Sequence, residues 1–284
     1  MTYNALPPLK GVWGKIRRAK VHRDALDVYI TETFADEANR PLVGAKLEPE
    51  SGDYIHYISR MPDLEPFLLE VGLRFGDAIH NLRSALNHLV MQLALLPKRK
   101  RTITPGQTLS IEFPINVSCG SFDKDWKRCC RHVDPAQRAT FEKFQPYDTR
   151  TSTGLPDTYV GPWVHPLRLL RDFSNQDKHR VIVATVLNPG SYSARGRTGT
   201  GAFVSLMHVV DRLQGRTFIR PERLELGTVI LRGSAPGGMR PADVEVDGDM
   251  TPDVCLSEFR PVVQTLDRIS AFVIHVVREF EPLF

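Results

Sequence analysis

Cysteine is scarce: Cys119, Cys129, Cys130 and Cys255 are the four in 284 residues. That is too few for a disulfide framework in a chain of this length, so free thiols in a reducing compartment are expected. No C-x2-C pair is present. Cys119, Cys129, Cys130 and His132 therefore lack structural-zinc spacing, and adjacent cysteines seldom both reach one ion. No metal and no cofactor is expected. Long hydrophobic runs are missing too. The densest apolar stretch, Phe67 to Leu96, is broken by Asp77, His80, Asn81, Arg83, Asn87 and His88, which excludes it as a spanning helix. Residues 1–14 contain no signal-peptide apolar region. The expectation is a cytoplasmic protein with no membrane partner. Charge is nearly balanced at +4, which permits nucleic-acid contact without implying it. No repeat of solenoid period is visible. The glycine-rich run Gly196–Gly201 lacks the Gly-Lys-Ser/Thr ending of a phosphate loop and reads as a flexible hairpin loop.

What is present is an ordinary globular composition, 42% apolar and 25% charged, in a chain long enough to bury a sizeable core. Val12, Ile16, Ala19, Leu26 and Ile30 recur at helical spacing and predict a helix over 9–35. Its basic residues Arg17, Arg18, Lys20 and Arg23 read as a solvated face. Two β-rich runs around a Pro/Gly/Asp loop predict a hairpin over 42–60. Phe75, Ile79, Leu82, Leu86, Leu89, Val90 and Leu93 predict a helix over 65–96, ended by Pro97. Residues 102–130 read as irregular, with a β-like run at 109–115. A helix opens at Asp134-Pro135 with Asp134 as its cap, and another at Pro166, so that helices fall within 134–180. Strands are expected within 181–232, at 181–187, 202–210, 217–220 and 224–231, with a flexible link at 189–201. A polar loop over 234–251 precedes a final helix over 252–282, marked by Leu256, Phe259, Val263, Leu266, Ile269, Phe272, Val273, Val276 and Phe280. The sum is a single α+β domain over 1–284: a bundle of long amphipathic helices with a β-hairpin and a small antiparallel sheet packed on one side.

The most informative residues lie on the second long helix. Asp77, His80, Asn81, Ser84, Asn87 and His88 fall at spacings of three and four, with Arg83 on the adjoining edge. Because the flanking apolar band is wide, part of this polar stripe is expected to meet another element, where buried polar groups need partners. Arg168, Asp172, Asn175 and His179 form a second stripe. Facing each other, the two would gather Asp77, His80, Arg83, Asn87, His88, Asn175, Asp177 and His179 into one polar cluster.

Arg83-Ser84-Ala85-Leu86-Asn87-His88 resembles the R-x4-H motif of HEPN-domain ribonucleases, in a long helix of a helical region as in that family. The wider segment, with Asn175-x-Asp177-Lys178-His179-Arg180 downstream, is similar to a group of uncharacterised bacterial and phage proteins. The resemblance implies metal-independent RNA cleavage, as in a toxin or defence effector. Arg83 would hold the scissile phosphate and His88 would move the proton, at a site completed by a homodimer. A straight helix turns residues five apart about 140° away from each other, so convergence needs a kink or a second protomer. The reading of different class is a non-catalytic helical scaffold or binding protein whose polar stripe is structural.

Overall fold

The structure, a computed structural model, describes residues 7–47, 53–96, 110–147, 165–179, 182, 184–197, 203–208, 225–234, 247–256 and 260–284. It is α+β. In chain order the elements are α1 (Lys10–Ala35), β1 (Leu42–Leu47), β2 (Asp53–Arg60), α2 (Glu65–Ala94), α3 (Cys119–Cys129), α4 (Arg138–Lys143), α5 (Pro166–His179), β3 (Ala184–Arg197), β4 (Phe203–His208), β5 (Val229–Ser234), β6 (Asp247–Leu256), β7 (Arg260–Pro261) and α6 (Val262–Phe280). Where the sequence pattern reads one domain over 1–284, these residues form two compact units, each assembled from separated stretches of chain.

The helical unit comprises 1–26, 72–182 and 263–284. Its core is built from the stripes that the periodicity picks out. Val12, Ile16, Phe75, Ile79, Leu82, Leu86, Leu266, Ile269, Val273 and Val276 are all buried. Aromatic rings join the shorter helices to each other and to the longer ones: Phe75 on Phe173 at 5.1 Å, Trp126 on Phe141 at 5.3 Å and Phe141 on Phe280 at 4.8 Å between centroids. Each such ring buries a large apolar area, and truncating one costs about 3–5 kcal/mol. Asp134 caps a short 3-10 turn by accepting from the Ala136 N–H at 3.0 Å, and α4 follows, as the Asp-Pro signal predicts.

The other unit comprises 27–71 and 183–262 and holds every described strand. The strands run in the order β4-β3-β6-β1-β2-β5, all neighbours antiparallel, with β7 paired to β6. The 42–60 hairpin is thus part of the same sheet as the later strands. Gly227 stands at φ +85, a conformation open to glycine at little cost, and its N–H donates to the Ile58 carbonyl at 2.8 Å where β5 begins.

Four local readings are corrected. Residues 119–129 are a helix, capped by Ser118, where the pattern reads irregular chain. The β-like run at 109–115 forms no strand over its described part. The link at 189–201 is β-strand through Arg197, hydrogen-bonded on β6. The final helix begins at Val262, because 247–256 forms strand β6 rather than a loop and the start of a helix. The 217–220 run and most of the 146–163 loop lie outside the described residues.

Candidate functional site

α2 carries the stripe, and its residues reach different neighbours. Arg83 and Asn87 are one turn apart and face the same segment, 111–116. Arg83 Nη2 donates to Glu112 Oε2 at 3.3 Å, and Asn87 Oδ1 accepts the Phe113 N–H at 3.0 Å. Ile111, Phe113, Pro114, Ile115 and Asn116 of the segment are buried, and Glu112 is half-buried among them. Its far end is held by the buried Gln145. The Gln145 side chain accepts from the Asn116 N–H at 2.9 Å and donates to the Pro114 carbonyl at 3.0 Å.

Glu112 is shared. Its Oε1 accepts from Arg128 Nη2 at 3.0 Å and from the Cys129 thiol at 3.6 Å, and Arg128 also pairs with Asp125 at 3.0 Å. Arg83 is the enclosed member of the group, with 14% of its side chain exposed against 57% for Arg128. Its Nη1 is buried with no hydrogen-bond partner among the described residues. Burial pulls the Arg83 guanidinium below its usual pKa, and the Glu112 charge opposes this. Burial, then the Glu112 charge, pushes the Cys129 thiol up to about 12, so at neutral pH it is a donor and not a thiolate.

His88 points elsewhere. It is exposed and lies over Gly11 of α1: a Cβ added there would be 3.5 Å from its Nδ1. Partial burial, and secondarily the nearby Lys15, lowers its pKa. Asp77 is exposed, its carboxylate 3.9 Å from His22 Nδ1 on α1, and His80 is exposed. On α5, Asn175 is exposed, Arg168 reaches Asp172 at 3.5 Å, and Asp177 packs its carboxylate against the Cα of Gly76 on α2. The side chain of His179 lies outside the described residues. The structure therefore joins α2 to α5 at Gly76–Asp177. It joins Arg83 and Asn87 to the 111–116 segment, and among the described residues it gives Arg83 and His88 no common neighbour.

Sequence reasoning passes over Glu112, Arg128 and Gln145. The signal for Glu112 was a lone carboxylate inside an alternating apolar run. Nothing local marks its partner 29 residues upstream. A cleft of about 400 Å³ also opens between α1, α2 and α6, lined by Ala19, Ala78, Leu82 and Ala271. Arg23 spans its rim by a bidentate pair with Asp267, both bonds at 2.8 Å, so the rim charges are spent on each other. Among the described residues no group of three or more His, Cys, Asp or Glu side chains is placed to hold a metal ion. None of their helices is long and apolar enough to cross a membrane. Comparison of the chain with protein-family models, curated proteins and solved structures gives no match.

Proposed function

We propose that the chain is a non-catalytic helical binding protein in which the polar stripe of α2 is structural: Arg83 and Asn87 lock the 111–116 segment onto the helices. One observation carries this reading. Arg83 is mostly enclosed and donates from Nη2 to Glu112, while Asn87, one turn on, holds the next residue's N–H. An arginine that is to grip a phosphodiester needs donors open to the ligand. The ribonuclease reading implied by the R-x4-H resemblance also needs His88 at the same phosphate, about 140° around the helix.

The test pairs catalysis with stability. Wild type, Arg83→Met and His88→Ala are assayed for RNA cleavage, and all three together with Glu112→Gln are unfolded in urea. Wild type is expected to cleave no RNA above background. Glu112→Gln is expected to lose about 3 kcal/mol, because it strands a buried guanidinium; Arg83→Met keeps the volume, buries no charge and stays within about 1 kcal/mol. RNA cleavage by wild type that disappears in both folded Arg83→Met and folded His88→Ala would restore the ribonuclease and overturn the structural reading.

A further inference from the structure

The first three turns of α1 are basic on the side that faces solvent. Lys10, Lys15, Arg17 and Arg18 fall within an arc of about 160° and along about 12 Å of helix axis. Lys10, Arg17 and Arg18 are exposed and Lys15 is half-buried. No carboxylate occurs in α1 before Asp24, and none of the four cations has an ion-pair partner among the described residues. This separates them from the next two cations of the helix: Lys20 pairs with Asp24 at 2.6 Å, and Arg23 with Asp267. The strip between the four is low. Gly14 has nothing within 4 Å of an added Cβ, and Gly11 meets only His88 at 3.5 Å, so a ligand can approach the helix backbone closely.

We propose that this face of α1 binds the phosphodiester backbone of single-stranded RNA. The proposal rests on the binding-protein reading above and names its partner. A patch of cations without ion-pair partners among the described residues complements a polymer with one charge per residue, and close approach over glycine shortens each contact. A membrane surface fits less well. The apolar residues of this half of α1, from Leu9 through Ala19, are buried in the core, and Val21 alone stands exposed in the strip. His88 distinguishes RNA from DNA. Its exposed imidazole, at the edge of the strip, can hydrogen-bond a 2′-hydroxyl, which deoxyribose lacks.

The experiment is fluorescence anisotropy with a labelled 20-nucleotide oligouridine, the deoxy oligomer of the same length, polyglutamate as competitor and vesicles containing phosphatidylserine. RNA binding is expected to weaken with salt, with a log–log slope of about −2 to −3 for three to four phosphate contacts. Arg17→Gln/Arg18→Gln is expected to weaken it at least tenfold, and Lys20→Gln to leave it unchanged. His88→Ala is expected to remove the preference for RNA over DNA. All of these side chains lie at the surface, so the melting curves should not move. The proposal is overturned by absence of RNA binding, by equal binding of the deoxy oligomer, by displacement with polyglutamate at equal charge, by vesicle binding that the arginine pair controls, or by insensitivity to that pair. The structural reading of Arg83 is judged separately, on cleavage and urea unfolding.

Discussion

His165 shows how one side chain sets a pH dependence. It precedes α5, and its Nδ1 accepts the Leu167 N–H at 3.2 Å, which satisfies one of the open donors at the helix start. The ring packs edge-on to Phe272 at 4.7 Å, and Nε2 is buried without a hydrogen-bond partner among the described residues. Burial, and secondarily Arg268, lowers its pKa to about 4. The unfolded chain binds the proton near pH 6.5, so between about 6.5 and 4 the unfolded state holds more protons than the folded one. Stability from this group is therefore complete above about 6.5 and falls as pH drops. The loss reaches about 3 kcal/mol near pH 4. Urea unfolding from pH 7 to 4 should show this slope in wild type. His165→Asn keeps an acceptor for the Leu167 N–H but cannot titrate, and should flatten it. An equal slope in the two proteins would remove His165 as the cause.

At the scale of elements, the closest packing of the stripe region is α2 against α5. A Cβ on Gly76 would run into Asp177 Oδ1 and lie 3.0 Å from Asp177 Cγ. Two effects oppose each other in Gly76→Ala: a helix interior gains about 1 kcal/mol from alanine, while displacing a packed neighbour costs about 1–3 kcal/mol. Because Asp177 is a short side chain with its carboxylate against the Gly76 Cα, the clash is expected to win, for a net loss of about 1 kcal/mol. In an Asp177→Ala background the obstacle is gone, and the same change should stabilise by about 1 kcal/mol. Thermal unfolding of the four proteins reads the coupling directly; additive effects would refute the contact. The helices themselves were legible in the sequence, because each buries a stripe that repeats every three or four residues. What was not legible has physical reasons. In α3 the buried face is only Phe122, Trp126 and Cys129 within eleven mostly polar residues. β6 contains Pro252 opposite Pro189 of β3, both at positions where the described pairing gives their strands a single neighbour. Proline survives there because one side of the strand needs no ladder donor, yet it reads as loop. Leu256, Phe259 and Val263 imitate a helical period across the β6–α6 junction, and Pro261, just before the first helical residue, was the better signal. The candidate site followed the same logic. The stripe and its R-x4-H spacing single out Arg83, but its partner Glu112 sits on an irregular segment that no spacing rule connects to α2.

Over the whole molecule, the four cysteines sample both units and can report how the fold opens. Cys119 is exposed; Cys129, Cys130 and Cys255 are buried and none is in a disulfide. Cys129 and Cys130 belong to the helical unit and Cys255 to the sheet unit. Only a thiolate attacks an aromatic disulfide reagent, and burial suppresses it twice, by blocking access and by raising the pKa. For Cys130 burial raises it further than for Cys129, with the neighbouring Cys129 adding to the effect. At pH 8 without denaturant one thiol should therefore react promptly, and Cys119→Ser should abolish that phase; in denaturant all four should react together. The slow phases of the folded protein then measure opening, because the buried thiols are modified only when their surroundings separate. A prompt phase of two or more thiols in the wild type would mean that a cysteine assigned to the core is open to solvent. A prompt phase surviving Cys119→Ser would place the accessible thiol on β6 or at the end of α3, and the packing around Phe141 or along β6 would have to be drawn again.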